Sequence, residues 1–272
     1  MTGLPFARNK RSLSVVLLLF CLPGLCEAQT NSADSENEGT NGPYLLELGY
    51  TQTNAKEGNI DVFTPGFTWL VSPNIRVGAT TSFLDVKPKD NRVKVGDDPS
   101  SSHGLGDSVV FIQYDWDERL TASPWIPNNL GMNLSVLAPT GNARNSLSTD
   151  TWAARLSVSW PIISNDEWLL NPLISYTGSF AGGELAQELE FLDFGMGAVR
   201  LFPRKFWVGF TPVYWYDFTV NRWNFDYHLV VGKMFSNGMG IGLNYGNLVQ
   251  QSGIRTQYDT SVLLDFYYQF GQ

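Results

Sequence analysis

Alternation in the closing stretch, Thr256 to Phe270 (TQYDTSVLLDFYYQF), constrains the fold more than any other feature of this chain. Counting back by twos from Phe270 gives Tyr268, Phe266, Leu264 and Val262, all apolar or aromatic. Between them stand Gln269, Tyr267, Asp265, Leu263 and Ser261, a mixed and more polar set. A β-strand sends alternate side chains to opposite faces. One face of this stretch suits hydrocarbon and the other suits water or a polar lumen, which is the strand signature of a transmembrane β-barrel.

The same pattern recurs along the chain. Alternating segments run over 44–53, 59–71, 74–87, 105–118, 128–139, 150–163, 166–179, 189–202, 205–218, 223–236, 238–250 and 256–270, twelve in all. In 150–163 one face is Trp152, Ala154, Leu156, Val158, Trp160 and Ile162, and the other is Thr151, Ala153, Arg155, Ser157 and Ser159. In 223–236 one face is Trp223, Phe225, Tyr227, Leu229, Val231 and Phe235, against Asn224, Asp226, His228, Val230 and Gly232. In 205–218 Phe206, Val208, Phe210, Tyr214, Tyr216 and Phe218 share a face. Segment 189–202 sorts poorly, because Glu190, Asp193 and Arg200 fit neither face well. Pro65, Pro161, Pro172 and Pro212 fall inside or near the ends of strands, where a missing N–H weakens pairing. An even strand number leaves both termini on one side, as in bacterial single-chain barrels.

Length separates a membrane barrel from a soluble sandwich. About 13 residues at ~3.3 Å give roughly 43 Å of strand, and a tilt of about 40° leaves roughly 33 Å, more than an apolar band of about 25 Å requires. Soluble strands run to about 5–6 residues. The chain carries 17 Phe, 11 Tyr and 9 Trp, yet only 16% of its residues are charged and its mean hydropathy is slightly negative, −0.12. Apolar residues interleaved with polar ones produce that average. Trp69, Trp116, Trp152, Trp168, Trp207 and Trp223 lie near strand ends, as interfacial aromatic girdles require. Tight turns at 72–74, 164–166, 203–205 and 236–238 alternate with longer links, of which 88–104 and 140–149 are the longest. Link 119–127, with Pro124 and Pro127, falls on the short-turn side and is longer than that rule expects.

The N-terminus reads as a secretory signal peptide over residues 1–28. Arg8, Lys10 and Arg11 supply the positive region, and Leu13 to Leu25 an apolar core too short to span a bilayer as a helix. Cleavage is expected after Ala28. A lipid anchor at Cys26 is the rival reading, with Leu25 a poor match to the residue such an anchor wants before it. Both cysteines, Cys21 and Cys26, lie in this segment, so the exported chain has no thiol chemistry. Removing residues 1–28 takes Arg8, Lys10, Arg11 and Glu27 from totals of 18 basic and 26 acidic residues and leaves 15 against 25. That balance excludes a nucleic-acid partner, which needs a basic footprint. Residues 29–42 (QTNSADSENEGTNG) are polar and acidic without periodicity and read as a disordered lead-in, followed by the barrel over 43–272.

Two motifs interrupt the alternation. His103-Gly104-Leu105-Gly106-Asp107 opens one strand, and Leu134 to Gly141 (LSVLAPTG) ends the next. Gly104 and Gly106 permit a sharp bend or bulge, Asp107 fits a turn cap or a lumen position, and Pro139-Thr140-Gly141 stops and turns a strand. This G-x-G-D followed by P-T-G resembles the "MetA-pathway of phenol degradation" outer-membrane family, itself similar to the FadL-like transporters of hydrophobic compounds. The strand plan matches over 44–270 and the sequence match is strongest over about 104–162, although the loop at 142–149 has fewer glycines than the family pattern. The resemblance implies an envelope barrel and points to hydrophobic solutes.

The sequence carries few groups arranged for catalysis or ligation. No Cys/His metal pattern, phosphate loop or dinucleotide fingerprint is present, so no cofactor and no metal are expected. The acidic pairs Asp97-Asp98 and Asp115-Asp117 are at most weak Ca²⁺ ligands. His228 shares a face with Asp226 and Asn224, but the sequence names no nucleophile beside it, and His103 lies next to Ser100, Ser101 and Ser102. The expected lumen-lining residues are Arg76, Asp107, Gln113, Asp115, Arg155, Asp217, Asp226, His228 and Asp265, with Glu47, Asn133, Asn171, Asn224 and Asn244 also inward. Tyr267, Trp215 and Phe111 would add inward aromatic surface.

The sequence is therefore that of an all-β protein, an antiparallel transmembrane barrel of about twelve strands in a Gram-negative outer membrane, reached by the general secretory route. Its expected partners are outer-membrane lipid and lipopolysaccharide, the barrel-assembly machinery through the C-terminal strand, and small solutes, hydrophobic or aromatic ones among them. Passive passage is the leading function. A structural or surface-interaction barrel without an open pore and a lipid-modifying enzyme are the alternatives. Gly271 and Gln272 follow the closing aromatic as a tail that assembly should tolerate.

Overall fold

The alternating segments pair edge to edge until the sheet meets itself. The computed structural model describes residues 43–54, 58–88, 102–116, 130–145, 147–164, 167–235, 238–250 and 260–271. The expected signal peptide and lead-in lie outside them. The strands are β1 (Tyr44–Asn54), β2 (Gly58–Ser72), β3 (Ile75–Pro88), β4 (Ser102–Asp115), β5 (Gly131–Ala138), β6 (Thr151–Ser159), β7 (Ile163–Ser164), β8 (Trp168–Gly182), β9 (Glu190–Phe202), β10 (Phe206–Asp217), β11 (Arg222–Met234), β12 (Met239–Gln250) and β13 (Thr260–Phe270). Each pairs antiparallel with its neighbour, β1 with β13, and β6 with β8, which closes the sheet. β6 and the two-residue β7 both pair with β8 and are pieces of one stave interrupted at Trp160 and Pro161. The result is a closed twelve-stave antiparallel transmembrane barrel with no unpaired edge.

Proline marks where the ladder is thin. The pairing of β2 with β3 skips Thr64 and Pro65, and that of β10 with β9 skips Thr211 and Pro212. Pro161 contributes to the break between β6 and β7. β4 begins three residues earlier than the alternation suggested, at Ser102, and β5 begins later, at Gly131.

The early start of β4 has a cause. Thr81 pairs Ser108 while Phe83 pairs Leu105, so Ser82 faces two residues, Gly106 and Asp107, in a bulge. Before it His103 and Leu105 point outward; after it Val110 and Ile112 do. The extra residue switches odd positions for even ones and keeps the apolar set on the lipid side. A Cβ on Gly106 would overlap Leu84 and Ser82, which is why glycine stands there.

The outer face is the apolar one. Leu46, Leu48, Phe67, Val110, Leu134, Leu156, Phe194, Val208, Leu229, Leu243 and Phe266 are all exposed there. The poorly sorting segment resolves: Leu192, Phe194 and Met196 face away from Phe191, Asp193 and Val199, which are buried inside. Glu190 and Arg200 are outward at opposite ends of β9, where Glu190 accepts a hydrogen bond from Tyr176 and Arg200 sits over the rings of Trp168 and Phe202. Trp69, Trp152, Trp168 and Trp223 are exposed near strand ends, as girdle residues should be. Trp207 is not one of them: it is 4% exposed and points into the barrel, because its neighbours Phe206 and Val208 take the lipid face. Near the far ends of β1–β3 the lipid face gives way to a charged cluster, Tyr50, Asp61, Asp85 and Lys87, in which Lys87 contacts Asp85 at 2.7 Å and Asp61 at 3.3 Å.

The start of β1 and the end of β13 sit at one end, with the short turns between β2 and β3, β9 and β10, and β11 and β12. The described links at the other end join β5 to β6, β8 to β9 and β10 to β11. The link expected at 119–127, and most of that at 88–104, lie outside the described residues.

Candidate functional site

The inner face carries the groups that a solute inside the barrel would meet. It is zoned along the barrel. Near the terminal end Leu45, Leu169, Val199, Leu201, Trp207, Met234 and Tyr267 form an apolar layer. Near the far end lie two more apolar clusters, Ile60, Val62, Leu84, Val86 and Leu147, and Val109, Leu137, Ala153, Leu189, Phe191 and Trp215. Polar and charged side chains occupy the wall between them.

Two ion-paired networks stand on the inner wall. Arg76 on β3 stands opposite Gln113 on β4 and meets the Asp115 carboxylate at 3.2 Å, while Gln113 Nε2 donates to Asp115 Oδ1 at 2.9 Å. Further round the wall, Arg155 on β6 lies 3.0 Å from Asp193 on β9, and Ser175 on β8 joins them, accepting from Arg155 at 2.7 Å and donating to Asp193 at 2.8 Å. Arg155, Ser175 and Asp193 are all buried, which a charge tolerates only when paired and hydrogen-bonded. Sequence reading placed Arg155 inward but missed Asp193 and Ser175. The signal was present in the small residues Gly195 and Gly197, which share Asp193's parity and leave room inside.

The remaining candidates divide by role. Asp226 and His228 are 1% and 6% exposed on β11, with 3.8 Å between carboxylate and Nε2. Asn224 and Asn244 are buried on the inner face, and Asp265 and Glu47 are half-buried there. Asp217 is buried at the far end of β10, where its carboxylate accepts from Thr219 N and Oγ1 and from Val220 N and so caps a turn. Asp107 also has a structural task. Its carboxylate accepts from Thr149 N at 2.8 Å, Thr149 Oγ1 at 2.9 Å and Gly141 N at 3.4 Å, while Thr140 Oγ1 donates to Gly106 O at 2.8 Å. The G-x-G-D and P-T-G motifs thus meet in space as a clasp. It folds the β5–β6 link inward, so that Leu147 packs on Ile60, Val62, Leu84 and Val86. The β8–β9 link straps over it through Gly183 N to Asp150 O and Thr151 Oγ1 to Gln187 O. Beside the clasp a cleft of about 720 Å³ is lined by His103, Arg144, Asp150, Glu184 and Leu185 among others.

Inward aromatics lie against the wall. Phe111, Trp207 and Tyr267 each pair directly across the ladder with a glycine, Gly78, Gly232 and Gly240 respectively. A Cβ on any of those glycines would overlap the facing ring. Trp215 instead meets Phe191 edge-on, with ring centroids 5.7 Å apart.

For nucleophilic catalysis the strands bring Ser261 near His228, on either side of Gly246. The Asp226–His228 separation is beyond hydrogen-bonding reach, and His228 Nε2 has no hydrogen-bond partner among the described residues. Of the acidic pairs weighed for calcium, Asp115 is held by Arg76, and Asp97, Asp98 and Asp117 lie outside the described residues.

No protein-family model matches the chain, and no curated protein matches it by sequence. Solved structures do match in fold. An outer-membrane channel designated COG4313 from Pseudomonas putida F1 superposes with a TM-score of 0.65 over 87% of this chain and 98% of its own, at 10% identity. The KdgM porin, solved with disordered oligogalacturonate, gives 0.51 over 83% and 99%, at 8% identity. At such identities the shared property is the barrel.

Proposed function

We propose that this protein is an outer-membrane channel for the passive passage of small molecules. One observation carries the reading: an apolar-sheathed barrel keeps a wall of carboxylates, arginines, amides and hydroxyls on its inside, where their desolvation is affordable only if the interior is wet or the groups are paired. The fold likeness to a solved outer-membrane channel and to a porin supports it. Apolar layers at both ends of the lumen, with rings laid on glycines, favour hydrophobic or aromatic solutes among those that pass. The end with the start of β1, the end of β13 and the short turns faces the periplasm in this reading, the exposed apolar face meets lipid and lipopolysaccharide, and β13, paired to β1 along its whole length, is the strand presented to the assembly machinery.

Planar-bilayer conductance and liposome swelling with the full exported chain test the function. Steps of conductance and solute-dependent swelling are expected; a folded barrel that passes neither ions nor solutes overturns it. The clasped β5–β6 link favours a second reading, in which the far end binds an envelope partner. Deleting that link would then abolish partner capture and leave permeability intact.

A further inference from the structure

Four consecutive strands carry a diagonal row of inward polar groups. His228 on β11 pairs Gly246, and Asn244 stands two residues along β12 toward the terminal end. Asn244 pairs Leu263, and Asp265 stands two residues further along β13 in the same direction. Asp265 pairs Gly49, and Glu47 stands two residues further again on β1. Such diagonal neighbours are roughly 7–8 Å apart on one face, so the row is continuous for a solute moving past it.

Glycines hold the row open. Asp265 has Gly49 and Gly242 as its two ladder partners, Glu47 has Gly66 on β2, and His228 has Gly246. His228 Nε2 and Asn244 Oδ1 are buried and have no hydrogen-bond partner among the described residues, although both side chains are more than nine-tenths buried. No ion pair to Asp265 is present among the described residues. Two arginines on this inner wall, Arg76 and Arg155, are already paired with Asp115 and Asp193. The side of the lumen formed by β11, β12, β13 and β1 is therefore rich in acceptors, while these two arginines stand on β3 and β6.

We propose that His228, Asn244, Asp265 and Glu47 are the selectivity element of the lumen and that it takes small cations, alkali ions and protonated primary amines alike. Carboxylates on the lumen wall attract a passing cation and repel an anion. The inference rests on the channel reading above. One unit charge roughly 5 Å from an ion in a water-like dielectric changes its local occupancy about fourfold.

The test is the reversal potential of the full exported chain in a planar bilayer under a KCl gradient, repeated with ethylammonium chloride. Both salts are expected to give potentials of the sign for cation preference. Asp265→Asn and Glu47→Gln should each lower the cation-to-anion permeability ratio by up to about sixteenfold, since the cation loses and the anion gains about fourfold in occupancy. Heat-modifiable gel mobility establishes that each variant is a folded barrel, and the sign of the wild-type potential decides even where a variant does not assemble. Conduction with anion preference, or a ratio unchanged in both folded variants, overturns this proposal alone. A folded barrel that is electrically silent overturns the channel reading and the proposal with it.

Discussion

The ring of Tyr267 on β13 lies against the backbone of Gly240, the residue paired with it on β12, so that a side chain at Gly240 would occupy the ring's own space. The phenol ring covers the strand where glycine supplies no side chain, and its centroid lies 6.3 Å from that of Trp207, which covers Gly232 in the same way. Gly240→Val should displace the ring and strain the closing strands. The expected loss is about 1–3 kcal/mol, the usual cost of overpacking a filled interior. Thermal unfolding followed by heat-modifiable gel mobility measures it, and Tyr267→Ala combined with Gly240→Val should recover part of the loss by removing the overlap.

Trp215 separates filling from lining. It is 3% exposed, packs edge-on against Phe191, and its indole N–H has no hydrogen-bond partner among the described residues. Trp215→Ala should destabilise the barrel by about 3–5 kcal/mol, as large-to-small changes in packed interiors do. If the ring borders the path, single-channel conductance rises in the same variant. Unchanged conductance in a folded variant would make Trp215 a packing residue only.

Much of this was legible in the sequence because a membrane barrel writes its two faces in alternate letters. β13 reads directly: Val262, Phe266 and Tyr268 are exposed and Ser261, Leu263 and Tyr267 are buried. The reading faltered at particular residues. Glu190 and Arg200 obscured β9 because the ends of a lipid face tolerate charge, which hid Asp193 between them. The place of Trp207 near a strand end suggests a girdle residue, but the parity of Phe206 and Val208 sends it inside. Partners such as Arg155 with Asp193, or Asp107 with Thr149, depend on which strands meet and on how a loop folds back, and neither is a local property of the chain.

The clasp predicts where a protease enters. Asp107 holds the β5–β6 link by two short hydrogen bonds from Thr149, and Arg144 is exposed on that link. Asp107→Ala leaves those donors without their charged acceptor, at a local cost of about 1–3 kcal/mol. Opening should become about tenfold or more frequent, since about 1.4 kcal/mol is a factor of ten in a local equilibrium. Trypsin should then cut after Arg144 at least that much faster, with barrel mobility on a gel unchanged. Equal cleavage rates would mean that other contacts, such as Leu147 packing, hold the link.

The Arg155–Asp193 pair should behave as a unit. Both side chains are buried, and Ser175 bridges them by accepting from one and donating to the other. Removing only the guanidinium, as in Arg155→Met, leaves a carboxylate inside the wall with one hydrogen bond, and should cost about 3–5 kcal/mol. Removing both charges, as in Arg155→Met with Asp193→Leu, should cost far less, because no charge remains to be desolvated. Thermal midpoints of the wild type, the two single variants and the double variant form the cycle that measures this. If the double variant lost as much as the two single losses added together, the coupling would be absent, and Arg155 would stabilise the barrel by packing alone.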